Sequence, residues 1–271
     1  MKRISIELVP RLAAPFIEEV GSVRYHFPFI ETINVPDLRR LKMRSWEACS
    51  LVQPRIPSAI PHIRAIDFCR HHPKRLFAII EQHRFEEVLV IGGDPPSAFA
   101  QEGEETATTL DLIAALHHRF PTLRIYAALD PYRQGVQAEI EYAQEKLAAG
   151  ACGFFTQPFF DLRLAEIFYE QLGHIELFWG VSPILTAKSE SYWRKRNQAF
   201  FPRHFEPSMP WNQQFGREML RFAQQTNGNL YFMPIKVDVI DYLAGIFADQ
   251  IVLPTLDVQK KMALAEVSFP V

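Results

Sequence analysis

The chain is 271 residues long, 48% of them hydrophobic, with a formal net charge of -2. That length suits one large domain with a sizeable core, and the balanced charge speaks against nucleic acid or an anionic membrane surface as a partner. No run approaches a bilayer span, and the first seven residues lack the apolar core of a signal peptide, so a cytoplasmic protein is expected.

Short apolar runs alternate with longer helical patterns from end to end. The patterning predicts strands at 4–9, 30–34, 59–66, 87–92, 124–129, 152–156, 175–181 and 230–235, and helices at 73–83, 106–119, 136–149, 162–172, 211–225 and 238–247. The first connection, with Pro15, Gly21 and Pro28, has poor helical periodicity, and 188–210 reads as a mixed helix and loop of the kind that forms a rim or lid. Eight such units in this length match a single-domain (β/α)8 TIM barrel. A doubly wound open sheet is the competing fold, but no glycine fingerprint follows the first strand. Cys49, Cys69 and Cys152 are scattered, without metal-ligand or disulfide spacing, and read as reduced packing residues. His71-His72 and His117-His118 point two ways around a helix rather than at one ion, so no metal is expected.

In a barrel the chemistry sits where the strands end. Glu7 stands in an apolar run, where a carboxylate is costly unless it lines a ligand cavity or pairs with an interior Arg, and burial would raise its pKa into the range of a general acid. The basic run Arg39, Arg40, Lys42 and Arg44 reads more readily as a solvated face than as a phosphate site. His62 is either a satisfied hydrogen-bonder or a site residue. Gly92 and Gly93 let a flat ligand approach the backbone, with the charge of Asp94 beside it, or else form a simple aspartate-capped turn. The sixth strand ends in Thr156 and Gln157, and the amide of Gln157 can donate to and accept from a heteroaromatic edge. Phe159 and Phe160 either stack a ring or pack under the next helix.

Taken in order, these strand ends resemble the methylenetetrahydrofolate reductase family. The segment K-L-A-A-G-A-C-G-F-F-T-Q-P-F-F-D, from Lys146 to Asp161, is similar to that family's helix, Gly-Ala turn and T-Q-x-F-F-D. Gly93-Asp94-Pro95 resembles its R-G-D/N-P loop, His62 the His of its third strand, Gly180-Val181-Ser182-Pro183 its G-I-x-P, and Glu7 with Pro10 the start of its E-F-F-P-P. The departures include Gly92 for the loop Arg, Tyr142 and Glu145 for an Asn and an Arg on the fifth helix, and no His after the fifth strand. They fall mostly on flavin and diphosphate contacts.

The resemblance implies a barrel that uses FAD and NAD(P)H to reduce 5,10-methylenetetrahydrofolate to 5-methyltetrahydrofolate, in one-carbon metabolism toward methionine. It implies Glu7 as the acid and Asp94 as the counter-charge, Gln157 and Phe160 on the folate, and Thr32, His62, Gly93, Asp94 and Lys146 on the cofactor. Two other readings stay open: a folate- or flavin-binding barrel without NAD(P)H activity of its own, either as a subunit taking electrons from a partner protein or as a diverged binding protein, and a methyltransferase using methyltetrahydrofolate. A homo-oligomer is compatible with all three.

Overall fold

The computed structural model describes residues 3–95 and 105–248. Eight strands, Ile4–Glu7 (β1), Thr32–Val35 (β2), Ser58–Arg64 (β3), Glu87–Ile91 (β4), Arg124–Leu129 (β5), Gly153–Pro158 (β6), Glu176–Val181 (β7) and Asn229–Phe232 (β8), pair in parallel in chain order, and β8 closes on β1. The helices among the described residues are Ala13–His26 (α1), Ser45–Val52 (α2), Lys74–His83 (α3), Thr109–Arg119 (α4), Val136–Ala148 (α5), Leu162–Leu172 (α6), Ala187–Arg196 (α7), Met209–Gln225 (α8) and Val239–Ile246 (α9). This is the single (β/α)8 barrel read from the patterning. No described helix is long and apolar enough to cross a membrane.

Five of the described helices start where a side chain accepts from a free helical N–H group. Thr108 and Asp111 form a capping box on α4, and Asp161, Ser208 and Asp238 cap α6, α8 and α9. The poor periodicity of the first connection misleads: α1 is a regular helix. Pro15 falls in its first turn, where the missing N–H has no helical partner to lose, and Phe16, Val20 and Val23 supply the buried stripe. Gly150, at φ +114°, makes the turn out of α5, and a Cβ there would lie 2.4 Å from the ring of His117.

The lumen is filled rather than hollow. Phe155 and Phe178 stack at 4.0 Å with planes 10° apart, and Tyr126 and Tyr231 meet Phe155 edge-on, each at 5.1 Å. Ile60, Leu89 and Met233 complete this plug. The two tyrosine hydroxyls leave it in opposite directions. Tyr126 reaches the amino-terminal floor, where its hydroxyl bonds Glu87 and Glu176 at 3.2 Å and Arg3 holds Glu87 by two bonds of 2.7 Å. Tyr231 reaches the carboxyl-terminal mouth. A floor closed by paired charges leaves the mouth as the end with side chains to spare.

Candidate functional site

At the mouth, Glu7 is the last residue of β1 and lies in register with Asn34 of β2. Tyr231, from β8 on the other side, donates its hydroxyl to the Glu7 carboxyl. His62 of β3 brings Nε2 to 3.9 Å from the same oxygen. The amide of Asn34 donates to that Nε2 at 3.4 Å and its carbonyl accepts from Ser5 Oγ at 2.9 Å. Four strands therefore focus one acid, one phenol, one imidazole and one amide on a small polar spot above an aromatic plug.

Burial sets the protonation of this spot. It pushes the Glu7 carboxyl from 4.5 up to about 7, against the opposing pull of the Tyr231 hydrogen bond. It pushes the His62 imidazole down to about 3 and the Tyr231 hydroxyl well above its usual value. Glu7 and His62 are thus two neutral groups below neutrality rather than an ion pair, and Tyr231 stays a donor. With Asn34 donating to Nε2, the imidazole proton belongs on Nδ1. A carboxyl that exchanges its proton near pH 7 suits a general acid. The sequence singled out Glu7 and His62. It did not single out Asn34 and Tyr231, whose signal was a polar group inside an otherwise apolar strand.

Two further predicted residues reach the same face. Gln157 is exposed on β6, at the irregularity where the β6–β7 register shifts between Phe155 and Pro158; such bulges re-aim side chains beside sites. Asp94 is exposed just past β4. Its carbonyl accepts from the buried Arg64 at 2.6 Å, and Gly93 beside it has φ +86°, packed so that a Cβ would sit 2.8 Å from Arg64 Nε. Behind that turn Asp67 lies 3.5 Å from Arg64 and 3.0 Å from Arg44, which also binds Asp37. Arg44 is therefore part of a buried ionic brace and not of a solvated face, a correction to the reading of the basic run. Pro96 lies outside the described residues.

Three expectations change with the tertiary structure. Thr32 opens β2 instead of approaching its end, so its hydroxyl sits at the floor and accepts from Arg3 at 2.9 Å. Phe160 is fully buried, stacked on Phe201 at 4.4 Å and edge-on to Trp193 at 5.4 Å, so it anchors the segment after β7 rather than offering a face to a ligand. Cys152 is exposed and precedes β6 instead of packing within it, while Cys49 is buried. Lys146 is 3% exposed and donates to the Ala128 carbonyl at 2.7 Å. Among the described residues no cluster of three or more His, Cys, Asp or Glu side chains could hold a metal ion.

Comparison with known proteins points the same way as the strand ends. No curated protein matches the chain. Among solved structures, an uncharacterized protein from Clostridium thermocellum that binds two copies of 5-methyl-5,6,7,8-tetrahydrofolic acid superposes with a TM-score of 0.63 at 14% identity, over 90% of this chain and 92% of that one. A 2,3-dimethylmalate lyase gives 0.56 at 7% identity over 99% and 93%, and an oxaloacetate acetylhydrolase gives 0.57 at 11% over 98% and 88%. At such identities these likenesses speak for the barrel alone. The sequence model of the methylenetetrahydrofolate reductase family, however, matches residues 33–212, about two thirds of the chain, which takes in His62, the Gly93-Asp94 turn and the Lys146 to Asp161 segment. The chain belongs to the methylenetetrahydrofolate reductase family.

Proposed function

We propose that this barrel binds a reduced folate across its carboxyl-terminal mouth, with Glu7 as the proton donor to it. The observation that carries the reading is the Glu7 carboxyl, partly buried between Tyr231 and a neutral His62 and pushed to about 7. Opening the five-membered ring of a 5,10-methylene folate needs one proton on the departing nitrogen; the carbon–nitrogen bond breaks and an iminium cation remains. Glu7 would supply the proton. Asp94, exposed at the end of β4, would face the cation, and Gln157 would hold the pterin edge through paired hydrogen bonds. That a Clostridium thermocellum barrel of similar shape binds a methyl folate supports the same ligand class here.

Reduction of that iminium, the activity the family resemblance implies, would need FAD and a nicotinamide donor as well. The residues present do not fit FAD. Thr32 faces the floor, His62 is closed in beside Glu7, and Lys146 is sealed under its own helix. Flavin-dependent reduction stays the second reading, favoured by the Gly93-Asp94 turn, which keeps an open backbone approach beside an exposed carboxylate.

Calorimetric titration with 5-methyl- and 5,10-methylenetetrahydrofolate tests the first reading. Saturable binding is expected, weakened in Gln157→Ala and Asp94→Asn. Absence of binding to the folded protein would refute it. A yellow protein bleached by NADH or NADPH would establish the second reading instead.

A further inference from the structure

The α5 helix carries a charged cluster that folate binding leaves unused. Glu139 is 1% exposed and stands 3.7 Å from the Lys146 ammonium. It also accepts from the Asp130 backbone N–H at 3.1 Å, from Gln134 at 2.9 Å and from Arg133 at 3.1 Å. The ring of Tyr142 covers both cations, with Lys146 Nζ 3.9 Å and the Arg133 guanidinium 4.6 Å from its centroid. Each positive group here has a partner inside the chain. Burial also draws the Lys146 pKa down to about 8, so even its charge is weakened.

We propose that Glu139 and Tyr142 make this protein selective against dinucleotides, because Glu139 already answers the charge of Lys146 and Tyr142 already covers it. The inference deepens the folate reading and rests on it: the ligand class is a pterin compound without a diphosphate. A diphosphate reaching Lys146 would set its negative charge against the Glu139 carboxylate where water screens poorly. It would also break the bond that Lys146 donates to the Ala128 carbonyl. Ala128 and Asp130 lie at the end of β5, so that exchange would loosen the β5–α5 turn as well.

The test is direct titration of the full chain with FAD, followed by flavin fluorescence, and with ADP as a plain diphosphate probe, followed by calorimetry. Neither is expected to saturate on the wild type. Saturable FAD binding in the micromolar range would overturn the inference whatever folate does, whereas failure of the folate titration alone counts against the folate reading. Tyr142→Asn and Glu139→Gln should each raise ADP affinity about tenfold or more, the weight of a freed charge-assisted hydrogen bond. Unchanged ADP binding in a folded variant would take the selectivity away from these residues. Glu139→Gln disturbs the β5–α5 turn, so Tyr142→Asn, which touches the cluster through its ring, carries the test if the other does not fold.

Discussion

Replacing Glu7 with Gln keeps the shape and the bond from Tyr231 and removes only the ionisable group. In the wild type, burial lifts this carboxyl from 4.5 to about 7, so the native state holds a proton that the unfolded chain releases. Its contribution to stability is complete below pH 4.5 and is lost as pH rises through about 7. Each pH unit in that window is worth about 1.4 kcal/mol, giving a loss of about 3 kcal/mol between about pH 4 and pH 8. His62 runs the opposite way. Its pKa falls from 6.5 to about 3, so its contribution is complete above 6.5 and is lost as pH drops toward 3. Between 4.5 and 6.5 the two slopes cancel, and this pair leaves the wild-type stability level. Glu7→Gln removes one slope, and the variant should gain about 3 kcal/mol relative to wild type on going from about pH 4 to pH 8. Urea unfolding followed by tryptophan fluorescence, with equal m-values for the two proteins, measures the difference at each pH. A difference that stays flat with pH would mean that the Glu7 carboxyl is not displaced by burial, and its role as an acid near neutrality would go with it.

Gln157→Ala should lower methyl folate affinity by the equivalent of about 1–3 kcal/mol without moving the unfolding midpoint, because the side chain is exposed at a strand end; a drop in thermal stability with unchanged binding would make Gln157 structural. Gly93→Ala forces a Cβ to 2.8 Å from both Arg64 and Ile66 at φ +86°, and should cost about 1–3 kcal/mol in denaturant unfolding. An unaffected midpoint would show that the turn is not held as described. Phe201→Ala opens the small core formed with Phe160 and Trp193, so limited proteolysis should cut within 187–208 while the barrel transition changes little. Cleavage no faster than in the wild type would separate that segment's order from the aromatic stack.

Much of this protein was legible in its residues. The alternation of eight apolar runs with helical patterns led to the barrel, because strand and helix periodicities are local properties that need no knowledge of neighbours. Glu7 stood out for a similar reason: a carboxylate in an apolar strand demands an explanation wherever the strand goes. The same local logic erred at the chain's turning points. Thr32, a cofactor residue by the resemblance, instead opens β2 at the floor because strand boundaries depend on register with β1 and β3, and Phe160 could not be told from a ligand-facing ring until Phe201, distant in sequence, covered it. Only the tertiary structure decided the state of the site. Glu7, Asn34, His62 and Tyr231 are separated by up to 224 residues in sequence, and their pKa values follow from shared burial at one barrel mouth. Lys146 shows the converse. Its motif matches a family contact, yet Glu139 and Tyr142 enclose it, because a side chain's availability is set by what packs around it and not by the residues beside it in the chain.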